Sequence, residues 1–131
     1  MIKNIIFLFL GLFCSCDRAV NTVTIKVQNK LPSTIEVLYG KYPFREFYRK
    51  SINAGEIVEL RSTIRYDFFN VVDCRYALTS SVIDSLAVKY NGLVSKNLMY
   101  DHEHLFECIP AKTNSKGTQV WILQADSLVF Q

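Results

Sequence analysis

An antiparallel β-sandwich of about seven to nine strands is the fold class this sequence predicts, immunoglobulin-like or similar, with a small β-barrel as the alternative. Three observations carry the prediction. Apolar residues repeatedly alternate with polar ones at a period of two, the spacing of a half-buried strand. Turn-forming residues punctuate the chain at short intervals, and no stretch offers a sustained helical period with caps.

The first strand signal begins at Thr22, where Val23, Ile25 and Val27 alternate with Thr24, Lys26 and Gln28. Asn29 to Ser33 supply a turn around Pro32, and Ile35, Val37 and Tyr39 resume the alternation, so the two segments read as a hairpin. Asn53-Ala54-Gly55-Glu56 marks another turn, followed by the short strand Ile57-Val58-Glu59-Leu60. Residues 66–72 are dense in aromatic and β-branched side chains and predict a more buried strand. Residues 75–85 carry too much Ser and Thr for more than a turn or so of helix. Alternation returns through Leu86, Val88 and Tyr90 and stops at Asn91-Gly92, a type I′ hairpin pair because both central residues of that turn need positive φ. Residues 98–106, 119–123 and 128–130 complete the expected strands. No internal repeat or low-complexity linker interrupts residues 22–131, which suffice for one domain with a real core and are too few for two.

The amino terminus obeys a different logic. Lys3 precedes an uncharged apolar run from Ile5 to Phe13, too short for a permanent bilayer span of about 20 residues and of signal-peptide length. Phe13-Cys14-Ser15-Cys16 stands where a cleavage site is expected. The segment resembles the lipobox of bacterial lipoproteins, in the relaxed form found in Bacteroidota. The resemblance implies cleavage before Cys16, a diacylglyceryl group on the Cys16 sulfur, and attachment to a membrane without a spanning helix. It divides the chain into a signal peptide (1–15), a lipid-anchored tether (16–21) and the β-domain (22–131). It also implies a cell-envelope location, expected at the outer membrane on its periplasmic or surface face.

Charge and cysteine content fit that reading. The formal net charge is +3, and removal of Lys3 with the signal leaves +2. A balance so near neutrality predicts no nucleic-acid partner. Of four cysteines, Cys14 leaves with the signal and Cys16 carries lipid, so Cys74 and Cys108 remain. An oxidising envelope permits a disulfide between them, and both are expected just past strand ends, at one rim. Two buried thiols are the alternative.

The familiar catalytic motifs are missing: there is no phosphate-binding glycine loop, no CxxC pair, no HExxH and no nucleophile elbow. Enzymatic activity and a bound cofactor are therefore not expected. Asp101-His102-Glu103-His104 is the one dense polar cluster, and on a strand it would bring His102 and His104 to one face as weak metal-ligand candidates. Two ligands fall short of the three a catalytic metal normally takes, so a charged edge that discourages pairing between chains is the favoured reading. Residues 39–50 interleave aromatic and basic side chains, with Tyr42, Phe44, Arg45 and Tyr48 as candidate ligand- or partner-binding residues able to stack on a sugar or peptide. Read the other way, the segment is a crossover loop with Phe44 and Phe47 packed into the core end and Lys41, Arg45 and Arg49 in water. Trp121 is expected in the core. These readings converge on a lipid-anchored envelope β-domain with a binding or structural role, its partner an envelope protein or glycan; weak metal binding through residues 101–104 is the alternative.

Overall fold

The computed structural model describes residues 19–41, 46–67, 83–99, 105–113 and 116–131. These residues form eight strands: β1 (Ala19–Asn29), β2 (Ile35–Lys41), β3 (Glu46–Ile52), β4 (Ile57–Asp67), β5 (Ser85–Tyr90), β6 (Leu93–Val94), β7 (Phe106–Thr113) and β8 (Lys116–Ala125). They make two four-stranded sheets, ordered β4-β1-β8-β7 and β3-β2-β5-β6. The sheets stack as a sandwich, as the alternation predicts, because each has one apolar face that only the other can cover.

The first sheet contributes Val23, Ile25 and Val27 of β1 and Trp121 and Leu123 of β8 to the core; the second contributes Ile35, Val37, Ile52, Leu86 and Val88. Each fully buried Ile, Leu or Val stabilises the fold by about 1.5–3 kcal/mol relative to exposure. In β4 a bulge opposite Ile25 and Lys26 pairs them with Arg61 and Glu59, leaving Leu60 as the extra residue. Leu60 is buried, so the bulge keeps an apolar residue inside while shifting the alternation of the rest of the strand.

Several elements differ from the sequence expectations. β1 and β2 are not a hairpin: they lie in different sheets, so residues 30–34 cross between layers. β1 also pairs in parallel with β8, a non-local partnership that an alternating pattern does not encode. β1 starts at Ala19, so residues 19–21 belong to the sheet and not to a tether. The strand expected over 57–60 continues to Asp67, and residues 68–72 of the aromatic segment lie outside the described residues. Leu98 and Met99 form a turn, and the strand expected over 98–106 begins only at Phe106. The closing residues form a 3₁₀ turn, Ser127–Phe130, capped by the Asp126 carboxylate, which accepts from the Leu128 amide at 2.9 Å. The Asn91-Gly92 turn is present, with φ of 49° and 79°.

Both crossings between sheets at the Asn29 end are held by one side chain. Asn29 is fully buried. Its Nδ2 donates to the Ser33 carbonyl at 2.8 Å and to the Ile52 carbonyl at 3.0 Å, and its Oδ1 accepts from the Leu31 amide at 2.9 Å. Its backbone bonds the β3–β4 turn in both directions, Asn29 N to Glu56 O at 2.9 Å and Gly55 N to Asn29 O at 2.8 Å. The side chain thereby satisfies backbone groups that leave one ladder before joining the other.

Candidate functional site

The segment 39–50, read from sequence as an aromatic and basic loop or crossover, is in its described parts the two arms of the β2–β3 hairpin. The register pairs Tyr39 with Tyr48, Gly40 with Phe47 and Leu38 with Arg49. Residues opposite one another in an antiparallel pair share a face, so Tyr39 and Tyr48 point one way and Gly40 and Phe47 the other. Tyr39 is buried, and Tyr48 stacks on it with ring centroids 5.4 Å apart. Burial raises the Tyr39 phenol pKa above its ordinary value, and the nearby Arg61 guanidinium opposes that shift.

Phe47 departs from the core-packed expectation: it stands on the outer face of the second sheet, 77% exposed. A hairpin explains this where a loop would not, since the period of two that buries Tyr39 must turn its diagonal neighbour outward. Tyr48 is the one residue of the candidate set Tyr42, Phe44, Arg45 and Tyr48 that falls among the described residues. Cys16, Cys74, Asp101, His102 and His104 also lie outside them. Among the described residues, no group of three His, Cys, Asp or Glu side chains is placed to hold a metal ion.

Phe47 walls a groove of about 240 Å³ on that outer face, with Leu38, Ala87, Ser85 and Asn97. Gly40 lies between two of these residues, since the register aligns Phe47, Gly40 and Ser85 in one row across three strands. A Cβ on Gly40 would lie 2.5 Å from Ser85 Oγ, 3.1 Å from Asp84 Oδ1 and 3.3 Å from Phe47 Cε1. Only glycine admits these three groups so close together. The far wall is rigid, because Asn97 Oδ1 accepts from the Leu86 and Met99 amides, both at 3.1 Å, and Ser95 Oγ accepts from the Val88 amide at 2.9 Å. Those side chains continue the ladder along β5 where β6 stops after two residues. Beside the groove Arg49 pairs with Glu36 at 3.6 Å, and Lys89 stands opposite Glu36.

Sequence reasoning missed this site because its parts come from three strands and a connection. The available signals were Gly40 in an otherwise regular alternation and the Asp84-Ser85 pair at the start of β5. Trp121 is buried as expected, its Nε1 donating to Gln119 Oε1 at 3.3 Å. Cys108 is half-buried within β7, opposite Trp121 and against the core, so it does not lie past a strand end as expected. Comparison with known proteins finds no matching family, no similar characterised sequence and no similar solved structure. The site's own geometry is therefore the basis for a functional reading.

Proposed function

We propose that this protein is a lipid-anchored β-domain of the bacterial cell envelope whose role is to bind, not to catalyse. The observation that carries the binding role is the outer-face groove: an exposed phenylalanine beside half-buried polar side chains, on strands whose backbone is fixed by the ladder and by Asn97. Rigid support of this kind is what a recognition surface requires. The anchor rests on the Cys16 lipobox. With β1 starting at Ala19, the three residues from Cys16 span at most about 10 Å, so the β1-start end of the sandwich would stand against the bilayer. The outer membrane is the expected site, without nucleic acid as a partner.

The proposal includes a disulfide between Cys74 and Cys108. It rests on Cys108, half-buried in β7, and on Cys74 as the one other cysteine of the processed chain.

Metabolic labelling with a radioactive fatty acid tests the anchor. The wild-type chain should take up label and fractionate with membranes, and Cys16→Ser should lose the label and accumulate as precursor or soluble protein. Undiminished labelling of Cys16→Ser would refute the lipoprotein reading.

A further inference from the structure

The groove on the second sheet has more chemistry than an apolar depression. We propose that it is a carbohydrate site that takes one pyranose ring of a neutral glycan, with Phe47 as the stacking surface and Asp84 and Ser85 as the hydroxyl-binding groups. This deepens the binding role proposed above and is independent of the lipid anchor.

Three unlike groups converge over the Cα of Gly40: the edge of an aromatic ring, a carboxylate and a hydroxyl. The Phe47 ring is far more exposed than the core needs, 77% against 0% for Val37 and Leu86 nearby. Asp84 and Ser85 are half-buried, and among the described residues their side chains make no hydrogen bond or ion pair; Asp84 is engaged only through its backbone, its amide donating to Gly40 O at 3.2 Å and its carbonyl accepting from Asn97 Nδ2 at 3.3 Å. An unpaired carboxylate and hydroxyl beside an open aromatic face suit a ligand that is apolar on one side and hydroxylated at its rim. A pyranose has that form. Its axial C–H face lies on a ring, while a carboxylate accepts from two neighbouring hydroxyls and a serine hydroxyl can donate or accept. The volume of about 240 Å³ falls below the range of roughly 300–1,000 Å³ that drug-sized ligands fill, and matches a single ring better than an extended peptide.

Charge selects among ligands. A cation could also stack on Phe47 and meet Asp84, but it would approach a face on which Arg49 and Lys89 balance Glu36 and Asp84. An acidic sugar would meet the Asp84 carboxylate. An aromatic peptide side chain would cover Phe47 yet leave Asp84 and Ser85 desolvated and unpaired, which costs affinity. A neutral sugar satisfies all three groups.

The test is an NMR titration of the isotope-labelled full chain in detergent. The probes are neutral disaccharides of glucose, mannose, galactose and N-acetylglucosamine, with glucuronic acid, tetramethylammonium and a tryptophan-containing tripeptide as competing classes. At least one neutral sugar should produce saturable shifts at the Leu38, Gly40, Ser85 and Ala87 amides, with a millimolar Kd. Phe47→Ala should weaken that binding at least tenfold, Asp84→Ala severalfold, and Phe47→Trp should retain it. Unchanged Asn91 and Gly92 resonances in each variant establish that the fold persists. The proposal is overturned if no neutral sugar moves these amides, or if Phe47→Ala binds as well as wild type. Shifts caused by the tripeptide or tetramethylammonium alone would overturn the glycan while leaving a binding role; silence with every probe would remove both, and leave fatty-acid labelling of Cys16 untouched.

Discussion

Replacing Asn29 by Ala should be among the most damaging polar substitutions in this domain, although Asn29 stands at a strand end where a turn residue is unremarkable. The side chain makes three hydrogen bonds of 2.8–3.0 Å from a fully buried position. A net contribution of about 1 kcal/mol for each bond gives about 3 kcal/mol, and the Ile52 carbonyl, left without that donor in a buried environment, raises the loss to roughly 3–4 kcal/mol. For a domain of this size that corresponds to a fall in Tm on the order of 10–15 °C. Urea unfolding followed by Trp121 fluorescence measures it, with a lowered midpoint and an unchanged slope as the expected signature. Asn53→Ala is the control: that residue is exposed, its Nδ2 donates to Glu56 Oε1 at 3.3 Å, and its replacement should cost about 0.5 kcal/mol or less. Asn29→Asp should be no better than Asn29→Ala at neutral pH, because a carboxylate keeps the acceptor for Leu31 but sets an anionic oxygen against the Ser33 and Ile52 carbonyls. A loss below about 1 kcal/mol for Asn29→Ala, indistinguishable from the control, would refute the idea that this amide ties the two sheets together.

Two further outcomes follow from the cysteines and from Tyr39. The exported chain, denatured without reductant, should show no reactive thiol, and reduction should expose Cys74 and Cys108 and lower stability by about 4 kcal/mol, as the chain-entropy model gives for a loop of that length; two thiols before reduction would exclude the bond. Burial raises the Tyr39 pKa, with Arg61 opposing, so the folded state holds this proton more tightly than the unfolded state does. Its contribution to stability is full below the ordinary tyrosine value near 10 and is lost as pH rises through the folded value. Tyr39→Phe should reduce the alkaline fall in stability; an unchanged pH dependence would contradict the burial of the phenol.

The proposed binding surface is legible in the sequence only in fragments. Phe47 was in view as part of an aromatic and basic stretch, but assigning that stretch to a loop concealed which way the ring points. The hairpin register decides it: Tyr39 and Tyr48 take the inner face, so Gly40 and Phe47 must take the outer one. Gly40 itself is silent in sequence, because a glycine acquires meaning only from what approaches it, and Asp84 and Ser85 reach it from the start of β5, 44 and 45 residues further along the chain. Cys108 lies within a strand and not past its end for a related reason: strand β7 starts at Phe106, where the apolar pattern of 98–106 predicts that a strand finishes.

What the sequence determined by itself was local. The alternation of Val23, Ile25 and Val27, and of Ile35, Val37 and Tyr39, forces extended chain with one apolar face, and Asn91-Gly92 specifies a tight turn because few other residue pairs accept φ of 49° and 79°. These are properties of single residues and their immediate neighbours, so they survive without knowledge of the partner strand. Which strands meet was settled only in three dimensions. The parallel pairing of β1 with β8, the separation of β1 and β2 into different sheets, and the convergence of Phe47, Asp84 and Ser85 on Gly40 depend on how two apolar faces cover each other most completely. Burial rewards any partner that excludes water and is indifferent to distance along the chain.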